Sequence, residues 1–324
     1  MILRLDPRLP LVWRSPSSVQ LGVDPPVVVL EEVTEIQERI LAALAVGVSE
    51  PGLTMIAQGH LDQRDDLLGR LAPALGVATA LGAGGAAGSA AGGASGRAEP
   101  ASAPTVAISG DGSAVSAIAD ALAASGARVL MATHAADLAD SAPDVAIVTA
   151  HHVLAPALHA LWLRRDVPHL PVVFSDIAVL IGPMVEPGVG PCLLCLELHR
   201  RDADPAWPAI ATQLLGRSSR LVAPALMLEA AAAACRATLG RLAAGADTAF
   251  TSTRIDGDTG QRREFEVQPH PECGCRGIQR LLERETAGRA PRPGRPGIDW
   301  AAGGRRAPAG TARTRSARAG AAPA

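Results

Sequence analysis

Lysine and tyrosine are missing from this chain, so all 30 residues counted as Lys or Arg are arginine. That excludes a P-loop lysine for a nucleotide phosphate, a Schiff base and a lysine general base. A net field is missing too: 32 acidic residues offset the arginines to give a formal charge of −2, and no overall basic surface is left to draw nucleic acid. Outside the Ala/Gly-rich segment 71–96, no run reaches the roughly eighteen uncharged apolar residues of a membrane helix, and that segment is too rich in glycine to serve as one. The opening residues, Met1-Ile2-Leu3-Arg4-Leu5-Asp6-Pro7-Arg8, put an acid and a proline where a signal peptide needs its apolar core, which leads us to expect a cytoplasmic protein. In that compartment, scarce paired cysteines favour a metal over a disulfide.

What is present suffices for a folded core. With 324 residues, 48% of them hydrophobic and 19% charged, the chain has room for two domains. Four of its five cysteines fall in two pairs, Cys192 and Cys195 in Gly-Pro-Cys-Leu-Leu-Cys, and Cys273 and Cys275 in Pro-Glu-Cys-Gly-Cys. Two residues between the first pair let both sulfurs face one ion, and Gly274 lets the second pair turn tightly. Four thiolates fill a tetrahedral shell and leave no position for water, so the pattern predicts a structural zinc ion rather than a catalytic one. The competing assignment is two unrelated pairs of buried or redox-active thiols. Cys235 lies among alanines and reads as a small core residue; the adjacent Arg236 gives little support for a nucleophile.

Residues 1–75 offer short extended segments at Leu11–Arg14, Ser18–Leu21 and Val27–Leu30, separated by Ser-Pro-Ser and by Asp24-Pro25-Pro26. Thr34 can cap a helix carrying Ile36, Ile40, Leu41 and Leu44, and Asp62 a second one carrying Leu67, Leu68 and Leu71. Small strands followed by helices predict a winged-helix-like α+β module. Residues 76–104, almost wholly Ala, Gly and Ser, predict a flexible linker. From 105 to 285 apolar strands alternate with helices: strands at Thr105–Ser109, Arg128–Met131, Val145–Thr149, Pro171–Phe174 and Ala178–Ile181, and helices at Ala114–Ala124, Leu154–Arg164, Leu193–Arg201, Ala209–Leu215 and Leu221–Ala244. That repetition predicts an α/β fold with a Rossmann-like parallel sheet covered on both faces. Strands at Ala249–Ile255 and Arg262–Val267 flank Asp256-Gly257-Asp258-Thr259-Gly260, a hairpin turn. Residues 286–324 carry Arg289, Arg292, Arg295, Arg305, Arg306, Arg313, Arg315 and Arg318 against Asp299 alone, which predicts a disordered basic tail and the one local exception to the absence of a nucleic-acid surface.

Ser109-Gly110-Asp111-Gly112-Ser113-Ala114-Val115 follows a strand and opens a helix, where glycine lets backbone N–H groups approach a phosphate. Gly110 and Gly112 supply two of the three fingerprint glycines; Val115 replaces the third, and Ala132-Thr133-His134 stands where an acid would hold the ribose. His151, His152 and Asp176 fall at strand ends, on the edge where open sheets place ligands and where they could act as acid or base, although residues so placed are more often polar caps or surface groups. Arg200 and Arg201 suit a helix C-terminus, and His270 beside the second cysteine pair suits support of the thiolates better than ligation.

A βαβ sheet, then Gly190-Pro191-Cys192-Leu193-Leu194-Cys195-Leu196-Glu197-Leu198-His199-Arg200, Asp204-Pro205-Ala206-Trp207-Pro208, and late His270-Pro271-Glu272-Cys273-Gly274-Cys275, together resemble the ThiF-type family of ubiquitin-activating-like proteins. Within it, the chain resembles the branch of precursor leader-peptide-binding proteins associated with bacteriocin and thiazole/oxazole cyclodehydratases. The resemblance covers most of residues 1–280. It implies an N-terminal peptide clamp, an adenylation-type fold, a structural zinc, and a leader peptide that adds a strand to the clamp near Val19–Leu30 and the helix Ile36–Leu44. It also implies a partner modifying enzyme, and homodimers of the kind many relatives of this fold form. Active adenylating relatives use a glycine-rich loop, arginine, lysine and a magnesium-holding aspartate. Here lysine is absent, the loop is degraded, and Thr149-Ala150-His151 stands in the aspartate's place. These departures favour a non-catalytic adapter that binds a precursor peptide over the alternative, an ATP-dependent adenylyltransferase acting on a carboxyl terminus.

Overall fold

Alternating apolar residues build the first sheet, and helical spacing builds what covers it. A computed structural model of the chain describes residues 2–77, 103–221, 223–246 and 250–276. β1 (Ile2–Leu5), β2 (Leu11–Ser15), β3 (Ser18–Leu21) and β4 (Val28–Leu30) precede α1 (Glu35–Val46), β5 (Val48–Ser49), α2 (Glu50–Ala57), α3 (Leu61–Leu71) and β6 (Leu75–Val77). β2, β3 and β4 form an antiparallel sheet in that order, and β5, β1 and β6 form another. The period of two sorts the first sheet into faces. Val19, Leu21, Val28 and Leu30 share a core with Ile40, Leu44, Leu67 and Leu71 of the helices, while Val12, Gln20 and Val29 stand opposite one another on the other face.

Thr34 caps α1: its Oγ1 accepts the Gln37 N–H at 3.3 Å and Gln37 Oε1 accepts the Thr34 N–H at 3.0 Å. Such a reciprocal box is worth about 1 kcal/mol. Asp62 does not cap α3; the helix starts at Leu61 with His60 as its N-cap, and Asp62 falls in the first turn. β1 and α2 lie in stretches whose pattern suggested no element, and β6 takes Gly76 and Val77 from the stretch assigned to the linker. Residues 78–102 of that linker, and the tail 286–324, lie outside the described residues.

The second part contains β7 (Thr105–Ser109), α4 (Ser113–Ala124), β8 (Arg128–Ala132), β9 (Val145–His151), β10 (His169–Phe174), β11 (Ala178–Ile181), α5 (Leu193–Ala203), α6 (Trp207–Leu214), α7 (Pro224–Ala244), β12 (Thr251–Asp256) and β13 (Arg262–Glu266). These strands make a seven-stranded sheet ordered β13-β12-β11-β10-β9-β7-β8. β8, β7, β9 and β10 run parallel, as the alternation predicted, whereas β11, β12 and β13 pair antiparallel. The links from β10 to β11 and from β12 to β13 are too short for a parallel crossover.

One face of this sheet, through Val106, Ile108, Val172 and Val179, packs on α4 and α7, where Ala230, Ala231 and Ala234 allow close approach. Full burial of Ile118 and Leu122 on α4 contributes about 1.5–3 kcal/mol each. The other face, through Ala107, Ala146, Val148 and Val173, meets Trp162 and the Leu193 and Leu196 side chains of α5. The helix expected over Leu154–Arg164 is replaced by two 3-10 turns, Pro156–Leu158 and Leu163–Arg165. Nε2 of His159 takes the Leu154 carbonyl at 2.9 Å, an acceptor a continuous helix would need, and Trp162 turns fully inward. α6 packs through Trp207, Ile210 and Leu214 on Val12, so it lies against the face of the small sheet opposite its own helices.

Candidate functional site

Cys192 is the N-cap of α5 and Cys195 lies in its first turn, so both sulfurs leave the helix on one side. The β12–β13 hairpin returns the chain to a 3-10 turn, Gly274–Arg276, that carries the second pair. The Cys192–Cys195, Cys192–Cys273 and Cys195–Cys275 sulfurs lie 3.8, 3.6 and 3.6 Å apart, and all four lie within 4.8 Å of one another. These separations exclude disulfides, whose sulfurs are about 2 Å apart. They match the edges of about 3.8 Å that four sulfurs at about 2.3 Å from one zinc ion would define. Three of the four cysteines are buried. Hydrogen bonds from Cys192 and Cys275 hold the Cys195 thiol far down, against the effect of burial, while the same crowding pushes Cys192 up. A cluster this tight needs a cation to carry all four as thiolates.

The groups around the cluster brace it. His270 is fully buried; its Nε2–H donates to Asp202 at 3.1 Å and its Nδ1 accepts the Glu272 N–H at 3.1 Å, which fixes the tautomer. Both ring nitrogens are thereby used, and the Cys273 N–H bonds to the His270 carbonyl at 3.0 Å. Arg201 bridges Asp202 and Glu272 at 2.8 and 2.7 Å, and Nε2 of His199 meets the Gln268 carbonyl at 2.7 Å. Cys235 lies elsewhere, in the core between α4 and α7, with Ser125 Oγ at 3.7 Å.

Gly110 and Gly112 sit at the end of β7 and the start of α4. Gly110 has φ +132°, and a Cβ there would lie 1.7 Å from Thr149 Oγ1, which itself donates to the Ser109 carbonyl at 2.9 Å. The threonine that stands in the expected aspartate's place thus packs into the glycine turn. Asp111 reaches His151, 3.8 Å from Nε2, and burial lowers the His151 pKa. Val115 faces the sheet as core.

His152 and Asp176 belong to a different region, the junction between the small sheet and the large one. Asp176 Oδ2 accepts the Val23 N–H at 2.7 Å, and Arg254 of β12 donates to the Asp24 carbonyl at 2.9 Å. Together they clamp the loop from β3 to β4. Burial pushes the Asp176 carboxyl up to about 6. His152 has φ +59° and is 2% exposed, with Nδ1 unpartnered. Burial, then the neighbouring His151 and Arg200, push it down to about 4, so the ring is neutral at pH 7.

Between the Val12–Gln20–Val29 face and the α5–α6 corner lies a cavity of about 600 Å³. Its floor is Arg200, Ala203, Pro205, Trp207 and Ile210; Arg200 stacks 4.9 Å over the Trp207 ring, whose Nε1–H donates to Glu197 at 2.7 Å. Arg14 closes one end, bound to Asp204 at 2.7 and 2.8 Å and to Gln20 Oε1 at 2.5 Å. The two edges of the small sheet differ. On β2, the Gln213 amide takes both outward backbone groups of Trp13, accepting from its N–H at 2.9 Å and donating to its carbonyl at 2.7 Å. On β4, the outward Val29 carbonyl has, among the described residues, only a long contact of 3.4 Å from Arg70 of α3. Arg14, Gln213, Ala203 and Ile210 carry no local sequence signature; in the sequence Arg200 reads as a helix C-terminal charge, His152 as a strand-end residue and Asp204–Pro208 as part of the family resemblance, none of them as a cavity wall.

No protein-family model and no curated protein matches the chain. Solved structures with a similar course of chain include a heterocyclase in complex with substrate and cofactor, 17% identical over 88% of this chain and 40% of that one, with a TM-score of 0.43. The heterocyclase TruD is 18% identical over 91% of this chain and 45% of its own, with a TM-score of 0.40. A chain of the E. coli microcin synthetase McbBCD complex is 14% identical over 85% of this chain and 100% of its own, with a TM-score of 0.42. The chain therefore spans less than half the length of either heterocyclase.

Proposed function

We propose that the chain is a non-catalytic adapter: it holds an extended precursor peptide along β4 and presents it to a partner enzyme that modifies the peptide, while the four-cysteine cluster holds a structural zinc ion. The observation that carries this is the asymmetry of the small sheet. An unpaired strand edge is a template for another strand, and proteins cover edges that are not used. Gln213 covers β2 by taking both backbone groups of Trp13 at 2.9 and 2.7 Å, whereas among the described residues β4 has only the 3.4 Å contact from Arg70. In this scheme residues 1–75, completed by β6, form the clamp and residues 105–285 the zinc-bearing body. Resemblance to the leader-peptide-binding branch of the ThiF-type family points the same way, with a cyclodehydratase as the partner class. Thr149 packed in the Gly110 turn, and the missing lysine, weigh against the adenylyltransferase alternative.

A phage-displayed library of random twelve-residue peptides panned on the full chain tests the clamp. Hydrogen exchange should then show the recovered peptide slowing the amides of β4 and α3 and leaving β2 unchanged. Protection confined to other elements would contradict it. ATP–pyrophosphate exchange should be at background; robust exchange that is lost in Gly110→Ala or Gly112→Ala would establish the adenylyltransferase instead.

A further inference from the structure

We infer that the cavity beneath the small sheet is a side-chain pocket for the peptide on β4, and that it accepts large apolar side chains at alternate positions. The inference rests on the strand-addition reading of β4 and extends it to the recognition code.

Side chains of a strand alternate between faces, and residues two apart on one face are separated by about 7 Å. A strand added to β4 therefore splits its side chains in the way β4 does. One set would join Val28 and Leu30 on the helix-packed face. The other set would follow Val29, and Val29 is part of the cavity wall, as are Pro25 and Pro26 just before β4. The cavity is thus continuous with the open edge, and it runs under the sheet from Val29 through Gln20 to Arg14. About 600 Å³ accommodates side chains at two such positions.

The lining decides the chemistry. Trp207, Ile210, Val23 and Val29 present apolar surface, and the polar groups at the far end are already committed. Arg14 is held by Asp204 and Gln20, and Arg200 donates to the His152 carbonyl at 2.9 Å while lying over Trp207. An acidic side chain would have to displace one of these contacts, and a basic one would meet both arginines, while the Asp204 and Asp24 carboxylates in the lining already face Arg14 and Arg254. His152 lines the cavity as well, but its unpartnered Nδ1 is buried beneath the wall and adds no polar position to it. Because the roof belongs to the small sheet and the floor to α5 and α6, a peptide seated here would also tie the two parts together.

The test uses the peptide recovered from the twelve-residue library and the full chain. Ala203 and Pro205 are exposed at the cavity rim, so Ala203→Trp and Pro205→Trp fill the space without disturbing the core. Fluorescence anisotropy should show at least tenfold weaker peptide binding for each variant, with melting temperatures within a degree or two of the parent. An alanine scan of the peptide should lose affinity at apolar residues in an i, i+2 pattern. Unchanged affinity in both variants, with β4 still protected from exchange by the peptide, would overturn the pocket and leave the strand addition standing. Failure to protect β4 at all would remove both. A photo-crosslinking amino acid at position 203 should capture the peptide; capture of the chain's own residues 78–102 or 277–324 in its presence would overturn the assignment of the occupant.

Discussion

Arg14 grips Asp204 with both terminal guanidinium nitrogens, at 2.7 and 2.8 Å, and so fastens β2 of the small module to the loop that follows α5. The pair is bidentate and mostly shielded, with 21% and 30% of the two side chains exposed, which puts it above an ordinary surface ion pair. Arg14→Ala should cost about 1–2 kcal/mol in urea unfolding, and limited proteolysis should cut the module free faster. Equal proteolysis rates for variant and parent would show that the pair does not hold the junction.

Replacing Cys192 and Cys195, or Cys273 and Cys275, by serine should abolish zinc binding, from about one ion per chain to none by elemental analysis. The melting temperature should fall by roughly 10 °C, because structural metal binding is coupled to folding. A chelator should reproduce the fall in the parent protein. Unchanged metal content and melting in both double variants would disprove a shared site.

Asp176 gives the junction a pH dependence whose direction follows from burial. Burial sets it at about 6 in the folded protein, above the ordinary aspartate value of 3.8, so the native state prefers the protonated form. That contribution is whole below about pH 4 and lost as pH rises through about 6. Asp176→Asn, which keeps an oxygen for the Val23 N–H, should be more stable than the parent by about 1–3 kcal/mol above pH 6, the gap closing near pH 4. His152 acts in the opposite direction: its folded value of about 4 lies below 6.5, so its contribution is present above about 6.5 and drains away as pH falls toward 4. Urea melts of both proteins from pH 4 to 7.5 would separate the two, and a pH-independent gap would rule out Asp176 as the source.

At the end of β7, Gly110→Ala meets two penalties, a positive φ of +132° and a Cβ 1.7 Å from Thr149 Oγ1. The substitution should destabilise the chain by at least about 2 kcal/mol. Thr149→Gly in the same chain should recover part of that loss, measured as a double-mutant cycle. Strict additivity would mean that the two residues do not share the space.

Much of this architecture was legible in the sequence. The strands of the parallel half alternate with helices clearly enough for β7 to be placed to the residue, and Thr34 announces its helix, whose capping partner Gln37 only the structure identifies. The cysteine cluster was readable because sulfur ligands at fixed spacing have few other uses. The failures have physical causes. Residues 154–164 are helical by composition, yet the long-range burial of Trp162 and the bond from His159 to the Leu154 carbonyl break the run into turns. The antiparallel half depends on loop lengths, which periodicity does not encode. The cavity was beyond reach, since its walls come from β2, β3, β4 and a corner some 190 residues away, joined by contacts such as Arg14 to Asp204.

The Gln213 amide and the Trp13 backbone that it covers are separated by 200 positions. On a ribosome, the small module emerges long before α6, so β2 passes through synthesis with its flank bare. Until then the β2 margin stays open, and it is closed only by a helix made far later in synthesis.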